Sequence, residues 1–521
     1  MRHGPGLFIL TLALLAGDAS AHGMNAGARH IAIDLNGPSQ PRDHFYDLSV
    51  GSDYPGTLIR DDSLAQLKTV EDAAHFRYVR FHAIFHDVLG TYKIVDGQPV
   101  YDWTKIDYLY DHLLKIGIKP FVELGFTPEA MKTSDNSIFY WHGNTSHPKP
   151  ELWGPLVEAF ARHIEDRYGA DEVRTWYFEV WNEPNLSGFW EGGDQAAYFS
   201  LYDQTAAVLK KVDPQLRVGG PSTAGAAWVP EFLAHTQTSG APVDFITTHT
   251  YGVDGGFLDD KGQADTKLSP SPEAIVGDIK RVRSQIEAAR PGLPLYFTEW
   301  STSYTPRDPV HDSYVSAPYI LAKLKASQGQ LQGMSYWTFS DLFEEPGPPP
   351  TPFHGGFGLL NREGIKKPAF YAYKYLAELG DTDLETTDPQ AYTARSGDSV
   401  QALVWDFQQP VQDKSNRPYY TKVEPTYASQ PVTIDLKDMK PGRYTVTVFR
   451  TGFRANDPQT AYLEMGSPDN LTPTQLDKLN ALSADAPEMT KRVKVGRSGT
   501  AHYTVTMRAN DVVLVKLDPQ G

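Results

Sequence analysis

From residue 40 to 378, short apolar runs that end in polar residues alternate with stretches whose apolar positions recur every three or four residues. IKPFVELGF (118–126), WYFEVWNEP (176–184), DFITTHTY (244–251), LYFTEW (295–300) and GMSYWTF (333–339) are rich in β-branched and aromatic residues. They read as buried strands. FYDLSV (45–50), YVRFHA (78–83) and LRVGGPS (216–222) bring the count to eight. Between strands, Ile106, Leu109 and Leu113 keep helical spacing as far as Gly117, a helix stop. Val157, Phe160 and Ile164 mark another helix. Ile275, Ile279, Val282 and Ile286 mark a third, with Pro272 and Glu273 expected in its first turn. Strand and helix in alternation predict an α/β fold with a parallel sheet, and eight such units predict a (β/α)8 TIM barrel over 40–378.

Beyond Leu379 the period changes. SVQALVWDF (399–407), QPVTIDL (430–436), GRYTVTVF (442–449) and HYTVTMRANDVVLVKL (502–517) alternate apolar and polar residues. This predicts an accessory β-sandwich over 379–521, to which a strand from about 28–38 is expected to add. Pro346-Gly347-Pro348-Pro349-Pro350 reads as a stiff surface loop in the last barrel connection.

Composition narrows the chemistry. A formal charge of −16 argues against nucleic acid as a partner, because that affinity rests on Lys and Arg neutralising phosphates. The absence of cysteine removes disulfides, thiolate zinc sites and a cysteine nucleophile together. Arg2, an apolar stretch from Leu7 to Ala16 and Ala19-Ser20-Ala21 form a signal-peptide pattern over 1–21, cleaved after Ala21. That stretch is too short to span a bilayer, so the expectation is a secreted or periplasmic protein with no membrane partner. There is no G-x-S-x-G elbow, H-E-x-x-H or P-loop, and the histidines lack metal-ligand spacing, so neither metal nor cofactor is expected.

Two of the expected strands end in a carboxylate framed by aromatic residues: Glu183 on the fourth and Glu299 on the seventh. Barrel chemistry sits at the C-terminal ends of strands. Cleaving a glycosidic bond needs one protonated carboxyl and one ionised carboxylate. Glu183 is the expected acid/base and Glu299 the expected nucleophile. The Asn182 amide, next to Glu183, could hold a sugar 2-hydroxyl.

With these residues the chain resembles the β-xylosidases of glycoside hydrolase family 39. The likeness rests on Trp181-Asn182-Glu183-Pro184-Asn185 and on Phe297-Thr298-Glu299-Trp300, although Trp300 stands where that family commonly has a smaller aromatic. Arg80-Phe81-His82, His249-Thr250-Tyr251, Tyr336-Trp337-Thr338-Phe339, Glu344-Glu345 and Phe353-His354-Gly355-Gly356-Phe357-Gly358 extend it. The resemblance implies a retaining exo-acting enzyme that releases xylose from xylooligosaccharides. It further implies that His82, Asn182, His249 and Tyr251 contact the first sugar and that Tyr251 orients Glu299. Trp337 would give an apolar floor and Glu345 would bind hydroxyls. Taken without it, His249 reads as a structural hydrogen-bonder and Trp337 as core; Glu123 and Glu129 read as structural. Another retaining glycosidase of the same clan, acting on an arabinoside, glucoside or iduronide, would keep both Glu residues. A non-catalytic carbohydrate-binding barrel would not need them.

Overall fold

The computed structural model describes residues 29–520; the expected signal peptide lies outside them. Eight parallel strands close into a barrel: β1 (Ser49–Gly51), β2 (Tyr78–Phe81), β3 (Lys119–Leu124), β4 (Tyr177–Val180), β5 (Arg217–Thr223), β6 (Phe245–Tyr251), β7 (Leu295–Ser301) and β8 (Gly333–Tyr336). The helices that follow them in turn are α1 (Asp61–Ala74), α2 (Thr104–Ile116), α3 (Pro150–Tyr168), α4 (Gln195–Val212), α5 (Val229–Ser239), α6 (Val276–Ala289), α7 (Ser316–Ser327) and α8 (Pro368–Ala377).

Local signals explain these bounds. α2 buries Ile106, Leu109 and Leu113, and Gly117 ends it at φ 106°, a left-handed conformation that costs glycine little. α3 opens on Pro150, whose missing N–H has no partner to lose there. α6 departs from expectation. Ile275 has φ 70° and precedes the helix, so Pro272 and Glu273 lie in a turn outside it.

Side chains alternate across a strand, so each barrel strand sends every second residue to the axis. Leu48, Tyr78, Phe121, Tyr177, Phe245 and Tyr296 form one apolar cluster that stoppers the N-terminal end. Two residues further along come Arg80, Glu123, Glu179 and Thr298, a polar layer. Above it stand His82, His249 and Glu299. The apolar stopper leaves the C-terminal end as the only place for polar groups to meet substrate.

The accessory region has a seven-stranded sheet and a three-stranded sheet. Arg29–Asp34 pairs in parallel with Val432–Lys437 in the smaller sheet. Ser39–Pro41, inside the span assigned to the barrel, pairs instead with Thr382–Leu384 of the larger sheet. The expected 502–517 strand is two strands. Ala501–Val505 pairs in the small sheet and Val512–Pro519 in the large one, and Asp511 draws the Arg508 backbone and guanidinium into the turn between them. Two helices, Pro458–Glu464 and Pro473–Leu482, also interrupt the strands.

The accessory region reaches back over the barrel. A hairpin of Val253–Leu258 and Ala264–Leu268 follows β6. Asn416 accepts the Leu268 N–H at 3.0 Å and donates to Asp308 at 2.8 Å; Ser415 donates to the Leu258 carbonyl at 3.0 Å, and Arg417 pairs with Asp259.

Candidate active site

Where β4 ends, the backbone turns sharply: Trp181 has φ 70° and Glu183 φ 45°, left-handed values that cost a non-glycine residue roughly 1–2 kcal/mol. Two cross-strand bonds hold the turn, from Trp181 N–H to the Leu124 carbonyl at 3.0 Å and from Glu183 N–H to the Ser222 carbonyl at 2.8 Å. The turn aims Asn182 at Arg80 and Glu183 into a cavity of about 430 Å³. On β6 and β7 the register shifts between Thr248 and His249, which sets Glu299 directly beside His249.

Arg80, fully buried, organises the floor. Its guanidinium reaches Glu179 at 2.5 Å, Glu299 Oε1 at 2.8 Å, Asn182 Oδ1 at 2.9 Å and Glu123 at 3.0 Å. Burial opposes its charge, but the Glu179, Glu123 and Glu299 carboxylates overturn that and raise its pKa. By accepting from Arg80, the Asn182 oxygen leaves the amide N–H₂ free toward the cavity. Thr298 donates to Glu179 at 2.7 Å and completes the layer.

The two expected catalytic carboxyls sit in unlike surroundings. Glu299 is held on both oxygens, by Arg80 on Oε1 and by the Tyr251 hydroxyl at 2.7 Å on Oε2. Glu183 has one close partner, His249 Nδ1 at 2.9 Å, and burial pushes its pKa up to about 7. Burial likewise lowers His249 to about 4, so its imidazole is neutral at ordinary pH. A Glu183 oxygen and a Glu299 oxygen lie within 4.8 Å of each other. Retaining glycosidases space these groups about 5–5.5 Å apart, and inverting ones about 6.5–9.5 Å.

His82, Asn182, Tyr251, Trp337 and Glu345 line the same cavity. His82 bridges Glu123 at 2.7 Å and Glu345 at 3.2 Å, and its ring lies 4.7 Å from that of Trp337. Burial opposes protonation of His82, yet Glu123 and Glu345 raise its pKa well above the usual histidine value. Burial lifts Glu345 to about 8. His249 does not line the cavity: its side chain has no exposed surface and stands between Glu183, Glu299 and Thr298.

Leu186, Phe189, Ala224, Gly225 and Tyr304 also line the cavity. Among the described residues, one set of donor atoms could converge on a cation: Glu183, His249 and Glu299. It consists of the two carboxyls and the neutral imidazole between them, so an ion there would occupy both groups needed for glycoside chemistry.

Sequence reasoning gave no role to Arg80, Glu179, Thr298 or Asp53, and read Glu123 only as structural. Glu123 holds both His82 and Arg80, whereas Glu129 pairs with Lys132 at the surface. The missed signal is a charge inside an apolar run. Parallel barrel strands are buried on both faces and should be apolar throughout, so YVRF, KPFVEL and YFEV each flag a functional charge.

The model of glycosyl hydrolases family 39 matches residues 29–501. The chain belongs to that family. It is 38% identical over 439 residues to a beta-xylosidase of Caldicellulosiruptor saccharolyticus, covering 84% of this chain and 87% of that protein. Among solved structures it is similar to a monomeric beta-xylosidase from Caulobacter crescentus CB15, with 63% identity, a TM-score of 0.94, and coverage of 95% of this chain and 100% of that one. A family 39 enzyme from Xanthomonas axonopodis pv. citri shares 61% identity at a TM-score of 0.95, over 96% and 99% of the two chains. This family 39 chain therefore shares its barrel and its accessory sheets with solved members.

Proposed function

We propose that this family 39 chain is a retaining exo-β-xylosidase that removes terminal β-D-xylose from xylooligosaccharides. The observation that carries the mechanism is the pairing of Glu183 and Glu299, within 4.8 Å, in unlike surroundings. Glu299, its carboxylate gripped by Arg80 and Tyr251, attacks the anomeric carbon. Glu183, kept protonated by burial, delivers its proton to the leaving oxygen. A covalent xylosyl-Glu299 ester results. Glu183, now ionised, takes a proton from water as the water oxygen attacks the same carbon, and Glu299 leaves with the pair of electrons it had shared. Asn182 donates its free amide hydrogens to the 2-hydroxyl.

The beta-xylosidases among its relatives support xylose as the sugar. The two carboxyls share one cavity with His82, Trp337 and Glu345, and that buried group is the seat of the terminal sugar in this reading, in keeping with exo-action. Among the described residues no Lys or Arg lines the cavity, which disfavours a uronic acid. The signal-peptide pattern supports export, to the periplasm or beyond.

The test is proton NMR of p-nitrophenyl β-xyloside turnover, with Glu299→Ala alongside. The expected result is β-xylose formed first and a variant slowed by at least about a thousandfold, as for other lost nucleophiles. α-Xylose formed first overturns the mechanism, and an active variant overturns the nucleophile.

A further inference from the structure

Asp53 stands two residues past β1, outside the cavity lining and almost fully buried. Three donors from three segments converge on its carboxylate: the Glu344 N–H at 2.8 Å, the Thr57 hydroxyl at 3.0 Å and the Trp141 indole N–H at 3.1 Å. Its own carbonyl accepts the His82 N–H at 3.0 Å.

These contacts close a ring around one side chain. Asp53 grips the Glu344 N–H, one residue before Glu345. The Glu345 carbonyl accepts the Tyr140 N–H at 2.8 Å. Tyr140 precedes Trp141, whose indole returns to Asp53. Trp141 is itself fixed, stacked on Tyr54 at 4.5 Å and 4°. Glu345, by contrast, has a single side-chain partner among the described residues, His82 at 3.2 Å. A three-torsion side chain with one contact takes its place from its backbone, and both ends of that backbone answer to Asp53.

We propose that Asp53 is a positioning residue for the glycone pocket: it holds Glu345 against His82 and so sets the carboxylate that meets the sugar hydroxyls. This rests on reading the cavity as the xylose site. Asp53 touches no substrate; it acts through Glu345. A merely structural role would cost stability and impair the enzyme equally whether or not Glu345 were present.

The test is a double-mutant cycle on the full-length chain, because coupled residues fail additivity and independent ones do not. Asp53→Ala should lower kcat/KM for p-nitrophenyl β-xyloside by about tenfold or more, mainly through KM. In a Glu345→Ala background the same substitution should cost less than about twofold. Equal losses in both backgrounds overturn the proposal. Should Asp53→Ala fail to fold, Asp53→Asn goes through the same cycle, since it keeps one acceptor oxygen and turns an N–H₂ toward a donor.

A crystal structure of either variant reads the proposal without activity. Glu345 displaced beyond hydrogen-bonding reach of His82 supports it, and Glu345 unmoved overturns it. This arm stands even if the wild type turns over no xyloside, which separates failure of the substrate reading from failure of the proposal.

Discussion

The Tyr251 hydroxyl lies 2.7 Å from Glu299 Oε2 and donates to it across the junction of β6 and β7. The bond fixes the rotation of the carboxylate, so that the oxygen not gripped by Arg80 still has one defined direction. Hydrogen bonds to charged groups contribute about 1.5–3 kcal/mol. Tyr251→Phe is therefore expected to lower kcat by about 10- to 100-fold with the fold intact. Steady-state kinetics with matched circular dichroism check this, and an unchanged kcat would remove Tyr251 from the machinery.

Glu183 supplies the pH dependence. Its pKa is raised to about 7, so the acid form needed for leaving-group departure prevails below that pH and is lost as pH rises through it. With xylobiose, kcat/KM should fall about tenfold per pH unit above roughly 7. A dinitrophenyl xyloside, whose leaving group needs no proton, should lack this limb in the glycosylation step. The same limb in both substrates would assign it elsewhere.

Arg80 carries the electrostatics of the floor. Replacing it by Met leaves Glu123, Glu179 and Glu299 buried without their common cation. Breaking a buried pair in this way typically costs about 3–5 kcal/mol. The midpoint of urea denaturation of Arg80→Met should drop accordingly, together with near-complete loss of activity. A variant with wild-type stability would mean that the three carboxyls find other compensation.

Sugar selectivity follows from what the cavity lacks. With no Lys or Arg among the described residues of its lining, a substrate carboxylate would be desolvated without a partner. Turnover of 4-methylumbelliferyl α-L-iduronide should be below about a thousandth of that of the β-xyloside, a gap of roughly 4 kcal/mol. Comparable rates would point to a basic group entering the site.

Much of this was legible in the chain. Strand alternation gave the barrel because buried parallel strands and amphipathic helices differ in period, and the strand-end position of Glu183 and Glu299 marked the reacting pair. Reading strands by apolar content also hid Arg80, Glu123 and Glu179, whose meaning comes from neighbours about 40 to 220 residues distant. Asp53 carried no signal at all, since its three partners come together only in the folded barrel. In the accessory region Thr472 and Gln475 form a capping box that opens a helix, but the strand pattern around it masked the motif. For His249 the motif finds the residue, and only the fold shows that its imidazole packs between Glu183 and Glu299.

The grip of Ser415, Asn416 and Arg417 on the hairpin after β6 bears on how this chain can be cut. A fragment ending near residue 378 would keep every strand of the barrel and every group that lines the cavity. It would also strip Asp308, Asp259 and the Leu268 amide of partners they hold now. That hairpin continues directly from Tyr251, so the loss would be felt first at the nucleophile's own support. The smallest exchangeable module is thus the barrel with the segment that grips its hairpin, and grafting this barrel onto another appendage would mean transplanting residues 415–417 with it.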